Sequence, residues 1–361
     1  MTLDELKMLQ ALPLEVKIKK SKMRIAEWIE EYGADSVYIA FSGGLGSTVL
    51  LVLVNEVCQE KNLPIIPALF VNTRNEFPEV VRHVYRAKGA TNSKYAKITK
   101  NPYSDPRLFA DQIEVRLPKR FLRDVIKESG YLIASKKTSR CIHDARQIVA
   151  RHPDDYYLDP KFQSLMDTKN KFSIPKKYRK FIFGDIEVSS VCCHKLKHVV
   201  YEQYQKETGR YYPFTGEQAE ESRLRRDVYL KHGCNGYDMS QPKSSPLGFW
   251  TSSDLCQYVL EYAVPYAECY GNIVCQDEKF VTTEEERTGC MICTAGIGRE
   301  DNYAVNRYQR MAEKHPKHYE LMLKPLAEGG CGLKPVLEAM DIAYIPSAKP
   351  LPEDELFDML L

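Results

Sequence analysis

Between two apolar runs, residues 36–41 and 49–54, the chain reads Ser42-Gly43-Gly44-Leu45-Gly46-Ser47-Thr48. A buried strand that enters a glycine-rich turn and leaves as a helix opening on two hydroxyls has the layout of a phosphate cradle. Glycines let backbone approach a ligand closely, and the helix start offers free N–H groups with a partial positive charge. The Walker pattern is excluded, because no Gly-Lys-Ser/Thr stands at its spacing. The helix is expected from about residue 47 to 61, stopped by Asn62-Leu63-Pro64, with a second strand at 65–71. Strand, helix of about four turns, strand is a βαβ unit, which implies a parallel sheet with right-handed crossovers.

The 361 residues suffice for one large α/β domain and an appended region. A net charge of +2 advertises no global field for nucleic acid. No apolar run reaches transmembrane length, and Met1-Thr2-Leu3-Asp4-Glu5 lacks the form of a signal peptide. The expectation is a cytoplasmic protein without a membrane segment.

Three segments follow from the patterning. Residues 1–34 form an amphipathic helical lead-in, with Val16, Ile18, Met23, Ile25, Trp28 and Ile29 at helical spacing. Residues 35–243 form the nucleotide-binding α/β domain. Residues 244–361, after a hinge at Lys243-Ser244-Ser245-Pro246, form a mainly helical region. Helices are expected near 79–88, 118–128 and 191–208, and a strand at 210–215. Residues 131–180 are polar, proline-punctuated and weakly periodic, and Phe181-Ile182-Phe183 reads as a strand or as core. Asn72-Thr73-Arg74-Asn75-Glu76-Phe77-Pro78-Glu79 follows the second strand, at the sheet edge where open α/β folds bind ligands.

Eleven cysteines in a reducing compartment point to metal or redox chemistry rather than a disulfide framework. Cys58, Cys256, Cys269 and Cys275 read as small buried hydrophobes; Cys141 and Cys234 carry no assigned role. Cys192-Cys193 and Cys290-Met291-Ile292-Cys293 are the candidate metal ligands, two thiolate pairs that can enclose one centre. An adjacent pair suits a polynuclear cluster better than a zinc knuckle, so an iron–sulfur cluster ranks above zinc, and zinc above four unrelated cysteines. Lys195 and Lys197 beside this pair would offset negative charge at a cluster or nucleotide, but each taken alone reads as a solvated helix face.

The loop resembles the PP-loop, Ser-Gly-Gly-x-Asp-Ser-Thr, with Gly46 in place of the loop's Asp. The chain as a whole resembles phosphoadenosine-phosphosulfate-reductase-like proteins of that superfamily, in a phage and bacterial branch. The likeness runs through residues 42–48, 72–79 and 192–197, then Thr215-Gly216-Glu217-Gln218-Ala219-Glu220-Glu221-Ser222-Arg223. It continues through 245–251, Gly289-Cys290-Met291-Ile292-Cys293 and Asn306-Arg307-Tyr308-Gln309-Arg310-Met311. The resemblance implies a doubly wound parallel sheet whose loop residues Ser42, Gly43, Gly44, Gly46, Ser47 and Thr48 grip phosphates. It places Asn72, Thr73 and Glu76 near ribose or adenine, and Gly216, Glu221 and Arg223 on a further wall. It also implies that the cysteine set holds a [4Fe–4S] cluster. Bottom-up, Arg223, Arg225 and Arg226 are equally surface ion-pair partners, Trp250 is a packing anchor, and Asn306, Arg307 and Arg310 lie on a solvated face.

Three functions compete. The first, weighing most, is iron–sulfur-dependent sulfur transfer. ATP cleaved at its α-phosphate, with magnesium as charge support, adenylates an acceptor such as a nucleic acid, and a cluster-bound or cysteine-bound sulfur displaces AMP, with a cysteine desulfurase as candidate partner. Gly46 counts against it; Asp35 and Asp185 are the candidate substitutes. The second is reduction of adenylyl sulfate or its 3′-phosphorylated form (APS or PAPS) to sulfite with a thiol reductant. The family's Glu-Cys-Gly-Leu-His tail is missing from residues 352–361, and its nearest imitation, around Cys331, lacks the flanking Glu and His. Cys331 is therefore a weak nucleophile candidate. The third is a non-catalytic adenine-nucleotide-binding subunit.

Overall fold

The computed structural model describes residues 1–89, 103–109, 111–297 and 305–346; the tail at 352–361 lies outside them. Helix α1 (Leu3–Gln10) is opened by a capping box between Thr2 and Glu5, and α2 (Leu14–Tyr32) follows as one amphipathic helix. The stripe that α2 buries is Leu14, Lys17, Ile18, Ser21, Ile25, Trp28 and Ile29, whereas Val16 and Met23 are exposed. A buried lysine needs a partner. Lys17 Nζ donates to Asp254 Oδ2 at 2.6 Å and to the Gln10 carbonyl at 2.6 Å. Trp250, fully buried, donates through Nε1 to Ser21 Oγ at 2.9 Å and is the packing anchor expected of it.

Strand β1 (Val37–Ala40) enters the glycine turn, and α3 (Leu45–Glu60) leaves it. β2 (Ala68–Val71) then pairs parallel to β1, with Ile39 opposite Ala68. Helix α4 (Pro78–Lys88) starts on Pro78, whose fixed φ suits a first helical position, and leads on to β3 (Ile113–Arg116). The chain leaves the sheet and returns as β4 (Tyr212–Thr215), β5 (Asn235–Gly236) and β6 (Lys243–Ser244).

The strand order is β3-β2-β1-β4-β6-β5, parallel except for the β5–β6 edge pair. Successive strands run outward from β1 on one side, and β4 starts the other side. The direction of winding therefore reverses between β1 and β4, as in a doubly wound fold. One sheet face packs Tyr38, Leu69 and Val71 against Val200 and Tyr204 of the helix Val199–Thr208. Beyond residue 244 the chain is mainly helical, apart from a hairpin of β7 (Ile273–Gln276) and β8 (Lys279–Thr282). Cys275 lies exposed on β7, so the buried reading fails there, while Cys58, Cys256 and Cys269 are buried as expected.

The chain divides into two units, each of two stretches: Met1–Lys119 with Lys197–Cys290, and Arg120–Leu196 with Met291–Leu361. The positions 34/35 and 243/244 both fall inside the first unit. The second unit has its own core, including Ile142, Ala145, Ile148, Phe162, Phe181 and Val336. Its helix Lys136–Arg151 arises in the stretch that looked weakly periodic; Ser135 caps it, and Cys141, Ile142, Ala145 and Ile148 form a narrow apolar stripe. Phe181 and Ile182 are core within a 3-10 turn, whereas Phe183 is exposed. Among the described residues no helix is long and apolar enough to cross a membrane.

Candidate functional site

Because β2, β1 and β4 are parallel neighbours, the loops after them leave the same sheet edge. The loop after β1 turns at Gly43, whose φ of +73° favours glycine and where a Cβ would lie 2.7 Å from Val80 and 2.8 Å from Val84. Gly44 is the N-cap of α3. Its carbonyl accepts from Ser47 Oγ at 3.0 Å, Thr48 Oγ1 at 3.0 Å and the Thr48 N–H at 2.9 Å. Ser47 Oγ also accepts from the Ser42 N–H at 3.2 Å and lies 3.1 Å from Ser42 Oγ. The hydroxyls thus tie the loop to itself and hold its peptides in one orientation. The Leu45 N–H donates to the Tyr270 hydroxyl at 3.1 Å, and Tyr270 is bonded to Thr288 Oγ1 at 3.0 Å. A Cβ on Gly44 would stand 3.0 Å from each of these two oxygens. Burial pushes the Tyr270 phenol up, so it stays protonated.

The loop after β2 is pinned around a carboxylate. Glu76, 5% exposed, accepts from the Thr73 N–H at 2.8 Å, the Thr73 hydroxyl at 2.9 Å and Lys197 Nζ at 3.1 Å. Asn72 Oδ1 accepts from the Arg74 N–H at 2.9 Å, with Arg74 at φ +69°. Lys197, read from sequence as a solvated face, thus belongs to this edge; its neighbour Lys195 pairs instead with Glu128 at 3.1 Å. A β-bridge sets Glu76 opposite Cys290, so the backbone of the first CxxC cysteine runs along the same rim.

The loop after β4 meets the loop after β1 backbone to backbone. A Cβ built on Gly46 would lie 2.6 Å from the Gly216 carbonyl oxygen, and one on Gly216 would lie 2.6 Å from Gly46 C and from Ser47 N. The position of the PP-loop Asp is therefore taken by main chain. Asp35, a candidate substitute, precedes β1 at the opposite end of the strand and is fully exposed. Beyond Gly216, Glu221 accepts from the Gln218 N–H at 2.8 Å, pairs with Arg287 at 2.6 Å and also pairs with Arg225. Arg223 is exposed on the first turn of the helix Arg223–His232, which Ser222 caps. A cavity of about 190 Å³ behind this loop is lined by Gln218, Ser222, Arg225 and Tyr229.

Of the residues expected to bind a cofactor, the structure therefore groups Ser42, Gly43, Gly44, Gly46, Ser47 and Thr48 with Gly216, and places Asn72, Thr73 and Glu76 on the neighbouring rim. His83 went unremarked in the sequence. Fully buried on α4, it bonds through Nε2 to Thr48 Oγ1 at 3.0 Å and through Nδ1 to the Tyr103 hydroxyl at 3.1 Å. Burial, with a smaller contribution from Arg86, pushes its pKa down to about 3. No motif marks it; a single histidine in an amphipathic helix carries no spacing signal.

The cysteine expectation is corrected. Cys290 belongs to the first unit and Cys192, Cys193 and Cys293 to the second. Among the described residues no three or more His, Cys, Asp or Glu side chains form a group that could hold a metal ion. The [4Fe–4S] cluster therefore has no ligand set, and the iron–sulfur sulfur-transfer reading falls with it. Cys290 sits in extended backbone paired with Glu76, whereas Cys192 and Cys193 open a helical turn. Burial pushes the Cys293 thiol up and that of Cys331 up to about 11, so neither favours the thiolate. Arg307, expected on a solvated face, is buried.

Comparison with known proteins finds a family match over part of the chain. Residues 36–140 match the phosphoadenosine phosphosulfate reductase domain. A solved phosphoadenylyl-sulfate (PAPS) reductase from Candida auris, in a phosphate complex, is 15% identical. Its alignment covers 74% of this chain and 90% of that one, with a TM-score of 0.35. No curated protein sequence matches. The matched span holds β1, the glycine loop, α3, β2 and the Glu76 rim, and over this span the chain is similar to the phosphoadenosine phosphosulfate reductase domain.

Proposed function

We propose that the chain is a sulfonucleotide reductase: it binds adenylyl sulfate or its 3′-phosphorylated form at the β1–β2–β4 edge and releases sulfite. The observation that carries this reading is the contact between Gly46 and Gly216. Cleavage of ATP at its α-phosphate relies on a carboxylate in the loop to support the metal–pyrophosphate group, and main chain fills that place. A sulfonucleotide carries no pyrophosphate and needs only a grip on its phosphate and sulfate, which loop N–H groups and a helix start supply. The match of the domain containing this loop supports the same choice.

The reaction needs a thiolate beside the rim. Cys331 is buried in the other unit with its thiol pushed up. Cys290 is half-buried, and its backbone pairs with Glu76; it is the thiol assigned here. Its sulfur attacks the sulfonate sulfur, an S–S bond forms, the S–O bond to phosphate breaks, and the adenosine phosphate leaves with the electron pair. A dithiol then attacks the Cys290 sulfur, expels sulfite and closes to its own disulfide, which supplies the two electrons.

The test is sulfite release from each sulfonucleotide with a dithiol, beside pyrophosphate release from ATP. Sulfite without pyrophosphate, lost in Cys290→Ser and kept in Cys331→Ser, is expected. Pyrophosphate from ATP with no sulfite would overturn the reading.

A further inference from the structure

The Thr48 hydroxyl has one proton, and it goes to the Gly44 carbonyl at 3.0 Å. Its bond to His83 Nε2 at 3.0 Å must therefore be accepted by Thr48, which makes Nε2 the protonated nitrogen. The Nδ1 lone pair then accepts from the Tyr103 hydroxyl at 3.1 Å. The chain of donors runs one way: Tyr103 O–H to His83, His83 N–H to Thr48, Thr48 O–H to Gly44 O. Thr48 is 1% and His83 2% exposed, so water does not compete for these bonds. Their end point is the carbonyl that also takes Ser47 Oγ, and that carbonyl belongs to the peptide whose N–H, on Leu45, donates to the Tyr270 hydroxyl at 3.1 Å.

We infer that His83 is a positioning residue for the phosphate loop, fixing through Thr48 the direction of the Gly44–Leu45 peptide, whose N–H Tyr270 holds, and with it the start of α3, whose following N–H groups meet an anion. Thr48 acts through this brace, its hydroxyl being engaged on both sides. The inference rests on the nucleotide reading of the loop and adds to it a residue outside the glycine motif. Because His83 does not touch the ligand, its loss weakens what the phosphate contributes and leaves the nucleoside contribution alone. A glutamine amide reaches the place of Nε2 and keeps the donor; leucine removes it.

The experiment is calorimetric titration of the full chain with AMP and with adenosine. His83→Leu should weaken AMP about 10-fold, the effect of one lost buried hydrogen bond, with adenosine affinity unchanged. His83→Gln should return AMP to within about threefold of the parent. Equal losses for AMP and adenosine, or no loss in His83→Leu, would overturn the assignment. If the parent binds neither compound, the nucleotide reading itself fails. The brace is then judged by ¹⁵N imidazole NMR: a neutral Nε2–H tautomer through pH 5–8 upholds it, and an Nδ1–H tautomer or a titration in that range sinks it.

Discussion

Two motifs stood out along the chain, the glycine loop at 42–48 and the cysteine pairs at 192–193 and 290–293, and only the loop became an ordered feature of the sheet edge. The loop works through consecutive peptides: a strand aims it, Gly43 turns it, and the start of α3 presents it. Its turn and hydroxyl bonds are local, so the residues in order nearly suffice to build its backbone, while Tyr270, Gly216 and His83 hold it from elsewhere. A four-thiolate centre asks instead that side chains from distant segments converge within bonding distance. Here an extended residue, a helical turn and a half-buried residue just before a helix supply those cysteines, and among the described residues no metal-holding group results. The difference teaches that spacing reports on backbone-made sites far better than on side-chain-made ones.

The comparison breaks most sharply at Gly46. Replacing it by Asp, which restores the familiar loop residue, should cost about 3 kcal/mol in denaturant unfolding, the upper end of overpacking penalties, because main chain at Gly216 cannot move aside cheaply. Gly216→Ala should behave alike. A fully stable Gly46→Asp protein would mean that the two loops do not touch.

His83 sharpens it next. Its folded pKa of about 3 lies below the ordinary 6.5, so the unfolded chain takes up the proton first as pH falls. This contribution to stability is present above pH 6.5 and is lost progressively toward pH 3, at about 1.4 kcal/mol per pH unit. Between pH 7 and pH 5.5, His83→Gln should lose less stability than the parent, and parallel curves would show that His83 titrates normally.

A smaller effect is expected in the second unit. Cys331→Ser should lower stability by about 1 kcal/mol, through burial of a stronger polar group, while sulfite release persists. Abolished sulfite release with an intact fold would return the nucleophile to Cys331. The smallest effect is expected at Cys192, half-exposed beside Cys193. Cys192→Ser should stay within about 0.5 kcal/mol of the parent. Collapse of the fold on that substitution would reinstate a metal clamp and undo the contrast between the two motifs.

Much of the first unit was legible in advance. β1, α3, β2, α4 and β4 lie within a few residues of their expected places, since apolar runs, Pro64, Pro78 and the glycines punctuate them. The helix Lys136–Arg151 was not, because its four apolar positions are diluted among basic and polar residues and only its packing partners reveal the face. Lys197 and His83 escaped for a related reason: each gains meaning from one residue far away in sequence, Glu76 and Thr48 respectively.

By itself the sequence determined the βαβ unit and the glycine loop between its strand and helix, because alternation of burial, glycine freedom and helix starts are properties of neighbouring residues. Only the tertiary structure decided that Gly216 main chain occupies the place of the loop's Asp and that a buried neutral histidine braces the loop. It also decided that the cysteines form no metal-holding group among the described residues. Those outcomes depend on distances and directions between segments that meet only when the sheet is assembled, and spacing along a chain does not encode them.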